Sequence, residues 1–421
     1  MRTMLIAVLL TCGALCAALP ARAQSTLVEL HPFHGADGAE PYSVLLPVSG
    51  GAFVGTTYEG GAANRGTVFK LSPPSGNGTT WTLSILHQFN GAADGSNPMA
   101  GLLNHGGALY GTTSTGSHLE VPGVSPASPG VVYELSKTSS GTMKETILHT
   151  FTASGGSPYG QLIADSEGRL YGTTYSADGQ VFRLTPPTSS GGNWSYEALY
   201  TFNSTTGDYP EGRLLQDSSG ALYGTTSKGG AHGYGTAFKL TPPASGTTWT
   251  LTTLWSFGQS TDIAQNPAGS LVMDSAGQLY GTTPRTVFRL TPPKSAGGLW
   301  SETILCDFYA LYITGVNQDL ILSGTGALYG TAAVHHDALT PNGIVFKLTP
   351  PPSGSTTWGE TTLYAFTGGA DGATPLGGLF KDSKGNLYGT TSQAGHNGDS
   401  LVNPNGAATI GGYGSIFELT P

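Results

Sequence analysis

Ten histidines, a single cysteine beyond the N-terminal segment and a recurring set of aspartates carry most of the chemical potential of this sequence. His31, His87 and His149 fall at one repeated position, which Tyr200, Trp255, Cys306 and Tyr364 fill elsewhere. Such an exchange marks a half-polar aromatic slot on a strand rather than a ligand set. Cys306 shares the slot and has no activating base beside it in sequence, so a nucleophilic role is not expected. Asp165, Asp217, Asp274 and Asp382 each precede a glycine by three residues. That spacing predicts a turn in which the aspartate bonds the backbone and the glycine takes a positive φ. A calcium loop needs several oxygen ligands at alternating positions, and one aspartate per loop is too few. No triad, paired-carboxylate spacing or cofactor-docking repeat is present. No catalytic residue, metal site or cofactor is therefore assigned.

The remaining candidates lie where the chain is least repetitive. Long segments at Ser114 to Gly130, Ser227 to Gly235, Ala333 to Gly343 and Ser392 to Gly414 hold His118, Glu120, His232, Tyr234, His335, His336, Asp337, His396, Asp399 and Tyr413. Imidazole and carboxylate in His335-His336-Asp337 suit several transition metals, yet adjacent side chains diverge and spacing identifies no partner. Variable polar loops on a rigid scaffold are where binding concentrates, so these ten residues are the candidate ligand-binding set.

What positions them is a repeat. The word LYGTT, with two variants, places glycines at 55, 111, 172, 224, 281, 330 and 389, at spacings of 56, 61, 52, 57, 49 and 59 residues. Three further words accompany it. One is a Phe-x-Leu run such as Val68 to Leu71, another a Trp-led run ending Leu-aromatic-x-Phe such as Trp194 to Phe202, and the third a short apolar segment such as Gln161 to Ala164. All are short, rich in β-branched and aromatic residues, and bounded by Gly, Pro, Ser or Asp, so each unit contributes four strands. The Phe-x-Leu word alternates with period two, which suits a strand with one buried face. The strand glycine suggests close approach of a neighbouring backbone. Seven four-stranded units predict an all-β, seven-bladed β-propeller with antiparallel blades. An open β-solenoid is the competing arrangement. The last unit, ending Phe417 to Pro421, lacks its Leu-aromatic-x-Phe strand, and Leu27 to Phe33 supplies that piece. The ring is therefore expected to close by the N-terminal strand joining the last blade, which leaves no open sheet edge at the chain ends.

The pairing of G-x-LYGTT with G-[TS]-[VI]-F-[KRE]-LTP resembles the tandem-repeat GloVer proteins of bacteria, which are exported and carry variable C-terminal anchors. The resemblance covers residues 27–421. It implies a propeller-like repeat fold and export, and supplies no catalytic residue to carry over. After the last repeat no anchor is visible.

Composition narrows the function classes. Charged residues make up 10%, Gly numbers 64 and Pro 27, which argues against long helices and against a solvated disordered chain. Residues 1–23 read as a secretory signal, with Arg2, an apolar stretch and Ala21-Arg22-Ala23, so cleavage near Ala23 and a periplasmic or extracellular location are expected. The domain division is then 1–23 signal peptide and 24–421 a single propeller. The two arginines of the signal leave 15 basic against 26 acidic residues, a formal −11, which argues against nucleic acid as a partner. A monomer is expected. Two functions fit: a secreted, non-enzymatic scaffold binding an extracellular glycan or protein on its loop-rich face, and a polysaccharide-acting propeller hydrolase or lyase. The second requires acids around the axis, and only Glu211 and Asp319 stand at the openings of the innermost strands, which are otherwise apolar.

Overall fold

The structure, a computed structural model, describes residues 25–421 except 77, 92–93, 115–129, 153–155, 177, 190, 260–262, 296, 309–318, 334–341 and 394–411. It is an all-β propeller of seven antiparallel blades. Blade 4 shows the plan: an inner strand Leu215–Gln216, a second strand Leu222–Thr226, a third strand Thr236–Thr241 and an outer strand Thr250–Ser256, hydrogen-bonded in that order. Blade 3 adds one two-residue strand, Ser157–Pro158, beside its second strand. Among the described residues no helix is long and apolar enough to cross a membrane.

Ring closure follows the expectation. Thr26–Pro32 pairs antiparallel with Ser415–Thr420 as the outer strand of blade 7, with Thr26 opposite Thr420 and Pro32 opposite Ser415. Phe33, fully buried, packs edge-on to Phe69 of blade 1 with ring centroids 5.4 Å apart. Seven apolar clusters fill the seven wedges between neighbouring blades. The closing wedge joins Leu30, Phe33, Tyr388 and Ile416 to Leu45, Phe53, Phe69 and Leu71.

The repeated words now have physical roles, two of them different from the sequence expectation. The strand glycine faces no neighbouring backbone. A methyl group on Gly224 would lie 2.6 Å from the ring of Phe238, its partner on the third strand, and Gly55, Gly172 and Gly330 stand in the same relation to Phe69, Phe182 and Phe346. Glycine thus clears the space into which a fully buried phenylalanine lies. The third strand keeps the expected alternation only in its second half: Thr236, Ala237, Phe238 and Leu240 are buried, Lys239 is partly exposed and Thr241 is exposed. Ala237 packs into one inter-blade wedge and Phe238 into the other, so both faces are core only in the first half of that strand.

The two threonines of LYGTT differ in partner. The first reaches the next blade: Thr56 Oγ1 donates to Ala100 O at 3.0 Å, Thr225 to Gly269 O at 3.1 Å and Thr331 to Gly377 O at 3.1 Å. Across the closing wedge, Thr390 donates to Ser43 O at 3.4 Å. The second stays in its blade, as with Thr226 and Thr236, whose hydroxyls are 2.9 Å apart. The aspartate turns form as expected. Asp217 accepts from Ser219 N at 2.9 Å, Ala221 N at 3.0 Å and Tyr223 Oη at 3.0 Å, and Gly220 has φ 82°.

Candidate functional site

The loops between second and third strands share a face with the blade-to-blade connections, because the two kinds of segment bond to each other. Ala39 bridges Glu59, Asp208 bridges Lys228 and Ala373 bridges Gln393. In five of the connections the chain turns through a residue of positive φ just before a proline: Glu40, Asn97, Tyr209, Asn266 or Thr374, at φ 54–58°. Its amide donates to the loop of the blade behind, as Asn266 N does to Tyr234 O at 2.8 Å. Its carbonyl accepts from the loop ahead, as Tyr209 O does from Ser227 N at 3.0 Å.

Three of the ten candidate loop residues fall within the described part of the chain. His232 and Tyr234 lie in the blade 4 loop and Tyr413 ends the blade 7 loop; all three are exposed. Tyr234 packs over Gly258 and Tyr413 over Gly35, each at the exit of its blade's outer strand. They occupy equivalent places in blades 4 and 7 and are not brought together. His118, Glu120, His335, His336, Asp337, His396 and Asp399 lie outside the described residues.

The structure instead gathers a set of which sequence reasoning had only the two acids, Glu211 and Asp319. Each connection enters its inner strand through a residue at the axis, and there a pocket of about 120 Å³ is lined by Tyr42, Tyr159, Gln161, Glu211, Arg213 and Asp319. Tyrosines continue outward from it. Tyr42 meets Tyr58 edge-on at 5.4 Å, Tyr159 stacks on Tyr175 at 4.7 Å, and Tyr175 lies 4.8 Å from Tyr209, over which Lys228 Nζ sits at 4.5 Å. All five rings are half-buried. Burial raises the Tyr159 phenol, and Tyr58, Tyr175 and Glu211 add to the rise, so residues from three blades share one neighbourhood. The Tyr42 hydroxyl donates to Glu40 Oε2 at 2.8 Å. Burial also lifts the Glu40 carboxyl above the ordinary range; Tyr42 opposes the shift and the Glu59 charge reinforces it.

The polar groups of the pocket are held in place. Gln161 Nε2 donates to Leu102 O at 2.7 Å, Ser227 Oγ to Glu211 Oε1 at 2.6 Å, and Ser270 N to Asp319 Oδ1 at 3.1 Å. Glu211 and Asp319, the two acids singled out in the sequence, therefore line one cavity. The tyrosines were harder to see, since they follow no single spacing. Their signal is positional: Tyr58 and Tyr175 directly follow the threonine pair, and Tyr42, Tyr159 and Tyr209 lie within two residues of a connection proline.

A larger groove of about 560 Å³ opens on the opposite face between blades 3 and 4, beside Asp165, Arg169, Arg183, Glu197, Asp217 and Trp249. Its charges already pair among themselves, Arg169 Nε with Asp165 at 2.6 Å and Arg183 with Glu197. The axial mouth, where rings and carboxylates face an opening, is the stronger candidate for a ligand.

No curated protein is similar in sequence. Among solved structures, a proposed 6-phosphogluconolactonase of Bacteroides fragilis is 13% identical, with a TM-score of 0.49 over 77% of this chain and 85% of that one. A Trichoderma reesei member of carbohydrate-active enzyme family AA12 is 13% identical, with a TM-score of 0.41 over 95% and 97%. A gluconolactonase of Xanthomonas campestris is 14% identical, with a TM-score of 0.40 over 73% and 86%. At that distance their chemistry does not carry over to this chain. The family model of the Gloeobacter/Verrucomicrobia repeat matches residues 19–210 and again 176–403, with the repeated strands and threonine pairs just described inside both stretches, and the chain belongs to that family.

Proposed function

We propose that the protein is an exported, non-enzymatic binding scaffold that takes a glycan at the axial mouth of its loop-rich face. The observation that carries this reading is the group of half-buried tyrosines around anchored carboxylates and an arginine. Ring faces offer flat apolar surface to the C–H faces of a sugar, and fixed carboxylates and amides accept and donate to its hydroxyls. The long second-to-third-strand loops, with their histidines and acids, would extend contacts outward from that centre.

A glycan array followed by calorimetry tests it. Tyr159→Ala and Glu211→Gln should each weaken the best glycan at least about tenfold, roughly 1.4 kcal/mol, while the protein stays folded. Affinity unchanged in both variants, or no glycan bound by the wild type, would overturn it. N-terminal sequencing of the exported chain should begin at Gln24.

The alternative, a polysaccharide hydrolase or lyase, draws on one observation. Burial raises the Glu40 carboxyl, the nearby Glu59 adds to the rise, and Glu40 accepts from Tyr42, which lines the axial pocket; a raised acid near a second carboxylate is the pairing a general acid and its partner require. Depolymerisation by the wild type that Glu40→Gln abolishes would establish that reading over the first.

A further inference from the structure

The wedge between blades 1 and 2 departs from the repeat in a way that points to chemistry. In the wedge that closes the ring, the slot histidine is a latch: His31 Nε2 bonds Asp37 Oδ2, on the connection to blade 1, at 2.9 Å. Tyr364 does the same between blades 6 and 7, donating to Asp371 Oδ2 at 3.0 Å. His87 has the equivalent aspartate, Asp94, yet makes no such bond. Its Nε2 stands 3.6 Å from Asp94 Oδ2 and 3.7 Å from Glu145 Oε2, which comes from the outer strand of blade 2.

Three side-chain atoms here are buried without a hydrogen-bond partner: His87 Nε2, Asp94 Oδ1 and Glu145 Oε1. Burying such groups unpaired is costly, so a cluster of three in one wedge calls for a compensating partner. The wedge holds a fourth. Tyr133, a tyrosine where the other six blades carry phenylalanine, is fully buried, and its hydroxyl has no partner either. Its ring meets Phe89 at 5.3 Å, and Phe89 in turn meets the His87 ring at 4.7 Å.

We propose that His87, Asp94 and Glu145 form a divalent transition-metal site, zinc or manganese in class, that ties blade 1 to blade 2. One ligand atom from each residue can be chosen so that all lie within 4.8 Å of one another. Ligands at about 2.0–2.2 Å from a tetrahedral ion stand about 3.4 Å apart, close to the separations of 3.6 and 3.7 Å from the imidazole to the two carboxylates. One imidazole with two carboxylates suits a borderline or hard dication, and three protein ligands leave a position for water. The charge balances as well: a dication neutralises the two carboxylates, Asp94 and Glu145.

Alternatives drawn from the repeat itself make the test clean. Tyrosine fills the His87 slot at Tyr200 and Tyr364, and leucine fills the Glu145 register at Leu83 and Leu251. His87→Tyr and Glu145→Leu should therefore fold, as circular dichroism and a cooperative melt would verify. The full mature chain, stripped with chelator, is titrated with zinc alone and with manganese alone, and bound metal is counted by elemental analysis. The wild type should take up one equivalent that both variants lack and that His31→Tyr, a change in the ordinary latch, retains. Its melting temperature should rise with metal, and that of His87→Tyr should not. Equal stoichiometry in wild type and variants, or no uptake by the wild type, overturns the site.

Discussion

At the residue scale the fold rests on side chains that complete one another's bonds, and Asp217 shows how that dependence responds to pH. Burial alone would raise its carboxyl, but bonds from the Ser219 and Tyr223 side chains and from the Ala221 and Ser219 amides outweigh burial and hold it below the usual value of 3.8. A depressed folded-state pKa means that the stabilisation is present above the unfolded value and is lost as pH falls through the folded one. Asp217→Ala should cost about 1–2 kcal/mol at pH 7, and the difference from wild type should shrink below about pH 4. Urea denaturation of both proteins at pH 7 and pH 3 checks this; a gap of the same size at both pH values would mean that the turn does not depend on the charge. The Asp-x-x-Gly turn was legible in sequence because its partners lie two to six residues away. The strand glycine was misread because its reason, the Phe238 ring for Gly224, lies on another strand, and spacing along one strand carries no information about what stands across from it.

At the element scale the connections between blades hold the least comfortable backbone. Thr374, at φ 56°, is a β-branched residue in the left-handed region, where its side chain crowds its own backbone. Asn97 and Asn266 fill the same place in other blades with a residue better suited to it. Thr374→Asn should raise stability by about 0.5–1 kcal/mol, part of the strain such a residue stores. A thermal melt showing a clear loss would instead give the weight to the Thr374 hydroxyl, which donates to Gln393 Oε1 at 3.2 Å. The strands themselves were readable because four words recur together, each with its own composition. The sites between them were not. His87, Asp94 and Glu145 come from two outer strands and a connection, and His87 looked like one more occupant of a slot that His31 and His149 fill for ordinary reasons: His31 bonds Asp37, and His149 stacks on Tyr196 at 4.2 Å. Only the register of blade 2 against blade 1 sets Glu145 beside it.

The largest scale turns on how one ring is sealed from two chain ends. Six wedges join blades that are contiguous in sequence, so in each of them chain connectivity already holds the neighbours close. In the seventh the connection is not covalent within the blade: Thr26–Pro32 must find Ser415–Thr420 across nearly the whole length of the chain. That pairing closes the edge of the Ser415–Thr420 strand, buries Leu30 and Phe33, and sets blade 7 where Thr390 can donate to Ser43. Burial of two large apolar side chains contributes roughly 1.5–3 kcal/mol each, before the strand's own hydrogen bonds are counted. Removing residues 25–33 should therefore lower the melting temperature by many degrees and expose a sheet edge that promotes association. A synthetic peptide spanning those residues should restore much of the loss by adding back as a strand. Unchanged melting after the truncation would mean that six wedges suffice and the seventh contributes little. A loss that the peptide cannot recover would place the importance of these residues in folding, where the N-terminal strand waits longest for its partner, rather than in the finished ring.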